Sequence, residues 1–242
     1  METTWTIAAG FRAFGVLHGL CLLASAGVAV AMIRGGGMAR RRGKLPAFAA
    51  TLAAAGFVNW VVQQGYYLLI AGDYTEAVPL HVCDLAALLG PVVMLWPVRL
   101  LRTTLYFWAF GLSIWGLLTP VLQQGPGHPT FWLFWINHAA IMGFASFDVV
   151  VRGYRPFLGD LGMAILMTLG YVAIVTPINL AMGWNYGYLG NVESEAWTPL
   201  DLLPPWPWRI LAIEVLGALM LGLAWWPWAL RRRWREPARP PG

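Results

Sequence analysis

The chain has 242 residues, of which 59% are hydrophobic and 11% are charged, and its formal net charge is +5. This composition excludes an ordinary soluble domain. It predicts an all-α polytopic membrane helix bundle, one domain over residues 1–235, followed by a Pro-rich tail over residues 236–242 that we expect to be disordered.

A transmembrane helix needs about 20 mostly apolar residues, and the chain offers seven such stretches. In chain order they are residues 13–33, 46–71, 79–98, 103–120, 129–151, 157–182 and 206–229. The basic cluster of the first stretch follows its apolar segment, unlike that of a cleavable signal peptide. We therefore predict seven transmembrane helices and expect the first to be retained.

Basic residues in short loops mark the cytoplasmic side of a membrane protein. Arg and Lys follow the first, third, fifth and seventh stretches, whereas the alternate loops are acidic or lack basic residues. The acidic loop residues are Asp73, Glu76, Glu193, Glu195 and Asp201. This pattern predicts an N-terminus outside and a cytoplasmic C-terminus, in a cell membrane that we expect to be the bacterial cytoplasmic membrane. The distribution of basic residues on the cytoplasmic side then accounts for the positive net charge, and no nucleic-acid partner is expected.

With this orientation, nearly all strongly polar residues of the spans fall in the outer half of the bundle. They are His18, Cys21, Gln63, Gln64, His81, Cys83, Asp84, Asn137, His138, Asn179, Asn185, Arg209 and Glu214. Isolated polar side chains in hydrocarbon need partners, and one shared pocket satisfies many of them. We predict such a pocket, open toward the outer leaflet or the outside.

The stretch from Pro79 to Asp84 carries the chemistry. Pro79 favours the first turn of a helix, which places Cys83 near a helix N-terminus, where the dipole and free amides favour a thiolate. Asp84 opposes this by like charge, and His81, two residues away, points to nearly the opposite side. A general base is therefore expected from another helix. His138 is the best candidate, about 12 Å inside its span.

The predicted roles are Cys83 as nucleophile, His138 as general base, and Asn179, Asn185 or backbone amides as oxyanion donors. The predicted substrate-binding residues are His18, Gln63, His81, Asp84, Asn179, Asn185, Tyr186 and Glu214. No cofactor is expected. A metal is not expected either, because the chain has neither paired C-x-x-C elements nor H-E-x-x-H.

Simpler interpretations stand beside these roles. Cys83 and Cys21 can be small packing residues, His18 can bond a neighbouring helix, and Arg209 with Glu214 can form an ion pair. At the level of function, the alternative is a transporter whose path these residues line, although the inner half offers few polar residues for it. A heptahelical sensor is a third interpretation.

Three short motifs carry a resemblance to a known family. They are Pro79-Leu80-His81-Val82-Cys83, Asn185-Tyr186-Gly187-Tyr188-Leu189, and Pro205-Trp206-Pro207-Trp208 followed by Glu214. With the seven-span layout over about residues 10 to 230, they resemble the YwaF-like family of bacterial integral membrane proteins. That family is similar to the eukaryotic transmembrane acyltransferase that remodels ether phospholipids. The resemblance implies acyl transfer on membrane phospholipids through Cys83 and His138, and it leaves the oligomeric state open.

Overall fold

The computed structural model describes residues 10–192 and 198–233, with the side chains of the last two residues excepted. Every regular element in these ranges is helical. The helices are α1 (Val16–Arg41), α2 (Leu45–Tyr66), α3 (Tyr74–Ala77), α4 (Val82–Leu95), α5 (Arg99–Phe107), α6 (Ile114–Leu118), α7 (Pro129–Val150), α8 (Leu158–Met182) and α9 (Trp208–Arg233). The predicted disordered tail, Glu193 and Glu195 lie outside the described residues.

Six helical segments are long and apolar enough to cross a membrane. They are Val16–Arg41, Leu45–Ala71, Tyr74–Leu95, Pro129–Val150, Leu158–Met182 and Trp208–Arg231. These confirm an all-helical, multi-pass membrane architecture in the described part of the chain. The span predicted over 103–120 falls on α5, a π-helical segment Trp108–Ser113, and α6. This run begins with Arg99 and is not among the six, so the seventh span and the orientation stay predictions.

Local sequence explains several helix boundaries. Proline occupies the first turns of α2 (Pro46) and α7 (Pro129), where the missing amide hydrogen costs no helical bond. Gly183 ends α8 with a φ of 70° and Gly72 ends the π-helical extension of α2 with a φ of 67°. Glycine adopts this left-handed conformation without a steric penalty, so both chain reversals are encoded locally.

Helix α7 is the centre of the bundle, and glycines on its neighbours allow close approach. A Cβ built on Gly56 of α2 or Gly90 of α4 would lie 2.7 or 2.4 Å from the ring of Phe144. A Cβ on Gly36 of α1 would lie 2.3 Å from Phe147. Large residues of α7 thus fill spaces left by glycine on three helices, a common way to pack helices in a membrane.

Arginines paired with buried carboxylates form a layer at one end of the bundle, which we call the Arg102 end. Arg102 donates through Nε to both carboxylate oxygens of Asp148, at 3.1 and 2.8 Å. Arg99 donates to both oxygens of Asp160, at 2.9 and 2.6 Å. Asp148 is 2% exposed and Asp160 is 4% exposed. The sequence interpretation, which placed nearly all polar groups at the opposite end, missed this layer.

Two further arginines close the same end against backbone carbonyls. Arg152 donates to the carbonyls of Val93 (2.7 Å) and Met94 (2.6 Å), near the C-terminus of α4. Arg40 donates to the carbonyl of Val151 (2.8 Å), just after α7. Because carbonyls at helix ends lack intrahelical partners, these bonds tie the ends of α1, α4 and α7 together.

Candidate functional site

The opposite end of the bundle, which we call the His81 end, contains the start of α4. His81 is the N-cap residue, and its carbonyl accepts the first helical bonds from the amides of Asp84 (3.0 Å) and Leu85 (3.1 Å). The amides of Val82 and Cys83 precede these bonds and have no intrahelical acceptor. Cys83 is therefore in the first turn of a helix, as predicted, but Pro79, which was expected in that turn, lies two residues before the N-cap.

Asp84 connects α4 to α2. Its side chain is 7% exposed and its Oδ1 accepts from Gln63 Nε2 at 3.0 Å. Its backbone carbonyl accepts from Trp60 Nε1 at 3.2 Å. The other side-chain atom of Gln63, Oε1, is buried without a hydrogen-bond partner. Asp84 and Gln63, both predicted to line a shared polar pocket, are in direct contact, and this contact holds the first turn of α4 in place.

His81 lies at the entrance to this region and keeps an accessible ring. Its Nε2 is 3.8 Å from Glu76 Oε1, and its ring packs edge-on against Tyr186 with 4.9 Å between centroids. Tyr186, between α8 and α9, donates its hydroxyl to the carbonyl of Thr75. Burial, together with the negative charges of Glu76 and Asp84, raises the pKa of Tyr186 to about 12. Its hydroxyl thus stays a donor and fixes the loop beside His81.

Three residues that the sequence analysis did not single out surround Cys83. The thiol lies beside the hydroxyl of Ser113, the last residue of the π-helical segment. Ser113 is 1% exposed, and its Oγ is buried without a hydrogen-bond partner in the described part of the chain. Tyr171 and Tyr188 are near enough to interact electrostatically with a thiolate at Cys83. Tyr171 also donates to the carbonyl of Leu80 at 2.8 Å.

His138 is buried in α7 with one defined free nitrogen. Its Nδ1 is 2.9 Å from the carbonyl of Phe134, which can only accept, so Nδ1 carries the proton. The neutral imidazole then leaves Nε2 as its basic nitrogen. Nε2 faces Gly116 of α6, where a Cβ would lie 2.5 Å away. The ring also packs against Phe134 with 4.2 Å between centroids.

Cys83 and His138 therefore both lie against one short helical stretch, which is formed by the end of the π-helical segment and the start of α6. Ser113, beside the thiol, and Gly116, beside the imidazole, are three residues apart and share a helical face, roughly 5 Å from each other along the axis. Among the described residues no direct hydrogen bond joins Cys83 to His138. The predicted pair converges on the same face, which we call the 113–116 face, without direct contact.

His18 occupies a structural position. Its Nδ1 accepts from the amide of Phe14 at 2.8 Å, and its Nε2 donates to the carbonyl of Leu117 at 2.7 Å. Both ring nitrogens are satisfied by backbone groups, so neither is left for a substrate. This geometry favours the interpretation of His18 as a link between α1 and α6 over the predicted substrate contact.

Asn179 and Asn185, two of the predicted oxyanion donors, each bond backbone groups through both the amide nitrogen and the amide oxygen. Asn179 donates to the carbonyl of Tyr186 (2.8 Å) and accepts from its amide (3.0 Å). Asn185 donates to the carbonyl of Val192 (3.2 Å) and accepts from the amide of Gly190 (3.0 Å). Both side chains fix the connection after α8, so the free amides of α4 are the better oxyanion donors.

Glu214, one of the predicted substrate-binding residues, is on α9 and is half-buried. Arg209 Nε is buried without a hydrogen-bond partner, and no ion pair joins it to Glu214 among the described residues. Cys21 and Cys83 are both free thiols, so the two do not form a disulfide. Cys21 is on α1 and lines a hollow. The lining of this hollow includes no residue of the 113–116 face.

These features define a multi-pass helical membrane protein with a polar site at one end of its bundle. The chain matches the model of the TMEM164 family over residues 10–225. Because this match covers most of the chain, the protein belongs to the TMEM164 family. No curated protein and no solved structure matches the chain.

Proposed function

We propose that this TMEM164 family member is a membrane-embedded acyltransferase that moves an acyl chain between membrane phospholipids, with Cys83 as its nucleophile. The observation that carries the proposal is the convergence of the Cys83 thiol and His138 Nε2 on the 113–116 face. The resemblance of the three sequence motifs to the YwaF-like family, and through it to the eukaryotic ether-phospholipid enzyme, supplies the reaction class.

Ser113 is the residue that connects nucleophile and base. Its hydroxyl can accept the thiol proton while donating its own proton to the unprotonated Nε2 of His138. A relay of this kind needs a buried hydroxyl with no competing partner, and Ser113 Oγ meets this requirement. It also explains why the two catalytic residues need no direct hydrogen bond.

The reaction then balances in two steps. The Cys83 thiolate attacks the carbonyl carbon of a phospholipid ester, and the C–O bond breaks to give a thioester and a lysophospholipid alkoxide, which takes the proton from His138. In the second step the hydroxyl of a lysophospholipid loses its proton to His138 and attacks the thioester. The acyl chain leaves Cys83, and the thiolate takes back the proton that His138 accepted from the lysophospholipid hydroxyl. Neither step consumes a cofactor.

The first turn of α4 supports stabilisation of the oxyanion formed in both steps. The amides of Val82 and Cys83 point along the helix axis away from the helix, with the positive end of the dipole behind them. Two convergent amides beside a nucleophile are the usual donors for a tetrahedral oxyanion. His81, at the entrance, is then placed to contact the lipid headgroup.

The Arg102 end favours an enzyme over a transporter. A transport path must continue through the bundle, whereas the ion pairs of Arg102 and Arg99, and the bonds from Arg152 to α4, close this end. A polar site confined to the opposite end suits a reaction whose substrates and products use the same leaflet. With an outer N-terminus, that leaflet is the outer one of the cytoplasmic membrane.

The proposal is tested with purified full-length protein, mixed phospholipids and a lipid-like activated ester. Intact-protein mass spectrometry would detect an acyl adduct, and peptide mapping would locate it. We expect the adduct on Cys83, its loss in Cys83→Ser, its retention in Cys21→Ser, and its slow formation in His138→Ala. A wild-type protein that takes no adduct and leaves the phospholipids unchanged would contradict the proposal.

A further inference from the structure

A groove runs along the lipid-facing side of the bundle between α2 and α7. Residues of α1 line part of it. It consists of two hollows that share Trp132, one of about 670 Å³ near the His81 end and one of about 320 Å³ deeper in the bundle. One face of α2 and of its π-helical extension lines it at helical spacing from Leu52 to Ile70. We call the two hollows together the lateral groove. Its lining is distinct from the 113–116 face.

The deeper hollow has the length of one acyl chain. On α1 it extends from Cys21 to Met32, eleven residues apart, which corresponds to about 16 Å along a helix. One leaflet contributes about 15 Å to the hydrocarbon core of a bilayer. The hollow therefore spans one leaflet of hydrocarbon, on the side of the His81 end.

Small side chains create the space. Ala24 of α1, Ala55 and Gly56 of α2, and Ala139 and Ala140 of α7 all line the deeper hollow. At Ala24, Ala55, Ala139 and Ala140 a larger apolar residue would extend into the gap between the helices, whereas a Cβ on Gly56 would meet the ring of Phe144. A gap bounded mostly by small apolar residues favours an apolar occupant over water.

The wall also carries a hydrogen-bond donor that no protein group satisfies. Trp135 lines the deeper hollow, is 5% exposed, and has a buried Nε1 without a partner in the described part of the chain. It lies six residues, about 9 Å, from the start of α7. This depth is near the inner edge of the headgroup layer, which is about 5–8 Å thick and is where glycerol esters lie.

We infer that the lateral groove binds a phospholipid from the leaflet at the His81 end, with one acyl chain in the deeper hollow and an ester carbonyl accepting from Trp135 Nε1. The glycerol and headgroup then occupy the larger hollow, beside Tyr66 and His128. An acyl chain is the occupant because the deeper hollow lies wholly within membrane-spanning helices, and its length and lining match hydrocarbon rather than a polar ligand.

The groove also touches the candidate site through one pair of side chains. Asn59, which lines the deeper hollow, donates to Asn137 Oδ1 at 3.4 Å, and Asn137 precedes His138. A bound lipid would thus lie one helix away from the imidazole. That this lipid is the acyl donor or acceptor rests on the proposed function. That it binds in the groove does not.

The test is photocrosslinking of the full-length protein in lipid nanodiscs with a phosphatidylcholine that carries a diazirine near the end of one acyl chain. We expect peptide mapping to place the adducts mainly on the groove-lining parts of α1, α2 and α7. Ala55→Phe and Ala24→Phe should each lower this labelling about tenfold, because the added ring overfills the hollow. Ala54→Phe and Ala26→Phe are matched controls at exposed neighbouring positions outside the groove, and they should keep it.

Labelling spread evenly over exposed residues of all helices, such as Leu219 and Leu223 of α9, would overturn the inference, as would labelling that Ala55→Phe leaves unchanged. Stronger labelling by a diazirine free fatty acid would overturn the choice of a phospholipid. Running the experiment in Cys83→Ser separates the two proposals. Groove labelling without any acyl adduct in the wild type would contradict only the enzymatic one.

Discussion

The unprotonated Nε2 of His138 faces the Cα of Gly116, so closely that a single added methyl group would lie 2.5 Å from it. Nδ1 of the same ring is held by the carbonyl of Phe134. A hydrogen bond thus holds one side of the imidazole. Its other side packs closely against Gly116, where a side chain would not fit. This leaves the basic nitrogen one helical turn from Ser113 and, through it, from the Cys83 thiol.

Gly116→Ala tests this placement. We expect the methyl group to push the imidazole away from the 113–116 face and to slow acylation of Cys83 about 100-fold, since a shift of about 1 Å in a catalytic group can have that effect. The measurement is the rate of adduct formation with the activated ester. Gly170→Ala is the control, because no atom lies within 4 Å of its added Cβ. Equal rates in the two variants would contradict the assigned position of His138.

Ser113→Ala tests the proton relay. Without the hydroxyl, the thiol proton has no path to Nε2, and we expect acylation of Cys83 to fall about 100-fold, within the range of general acid–base catalysis. Ser113→Thr keeps a hydroxyl and should retain most of the rate. Thr104→Val, on the same helical run, removes a hydroxyl that only bonds the carbonyl of Leu100 and should have little effect. A Ser113→Ala protein that reacts at the wild-type rate would exclude the relay.

Arg102→Met tests the buried layer at the opposite end. It leaves Asp148, 2% exposed, without its main partner, and we expect the free energy of unfolding to fall by about 3–5 kcal/mol. Arg41→Met, at an exposed position in the last turn of α1, should change it by at most about 0.5 kcal/mol. Reversible unfolding in mixed micelles measures both. A similar small change in the two variants would show that the layer contributes little to stability.

Asn179→Ala tests the loop that carries Tyr186. It removes both partners of the Tyr186 backbone, and the loss of two buried hydrogen bonds should cost about 2–3 kcal/mol of unfolding free energy. Asn185→Ala, whose bonds to Val192 and Gly190 are more exposed, should cost less than about 1 kcal/mol. The reverse order, measured in the same unfolding assay, would contradict the structural role given to Asn179.

Hydrophobicity was sufficient to predict the class of fold. The long apolar stretches determine where most helices lie, because a backbone in hydrocarbon must satisfy its own hydrogen bonds. The position of Cys83 near a helix N-terminus was also predicted, although Pro79, expected in the first turn, lies before the N-cap His81. The burial of His138 within α7 followed from its depth in an apolar stretch.

Contacts between distant residues could not be predicted in this way. Ser113 and Gly116 belong to no motif, and their importance arises only because α4 and α7 pack against the run that carries them. The two bonds of Asn179 to the backbone of Tyr186 were not expected, because nothing in the sequence indicates a contact between these residues seven positions apart. The buried partners of Arg99 and Arg102 likewise depend on how α5 packs against α7 and α8.

The most direct test of the central claim is the site of acylation in the wild-type protein. After incubation with phospholipids and the activated ester, peptide mass spectrometry distinguishes Cys83 from Cys21, which are the only two cysteines of the chain. The account predicts a thioester on Cys83 that hydroxylamine removes and that a lysophospholipid discharges with formation of a diacyl product. An adduct on Cys21 alone, or a Cys83 adduct that no lysophospholipid discharges, would contradict it.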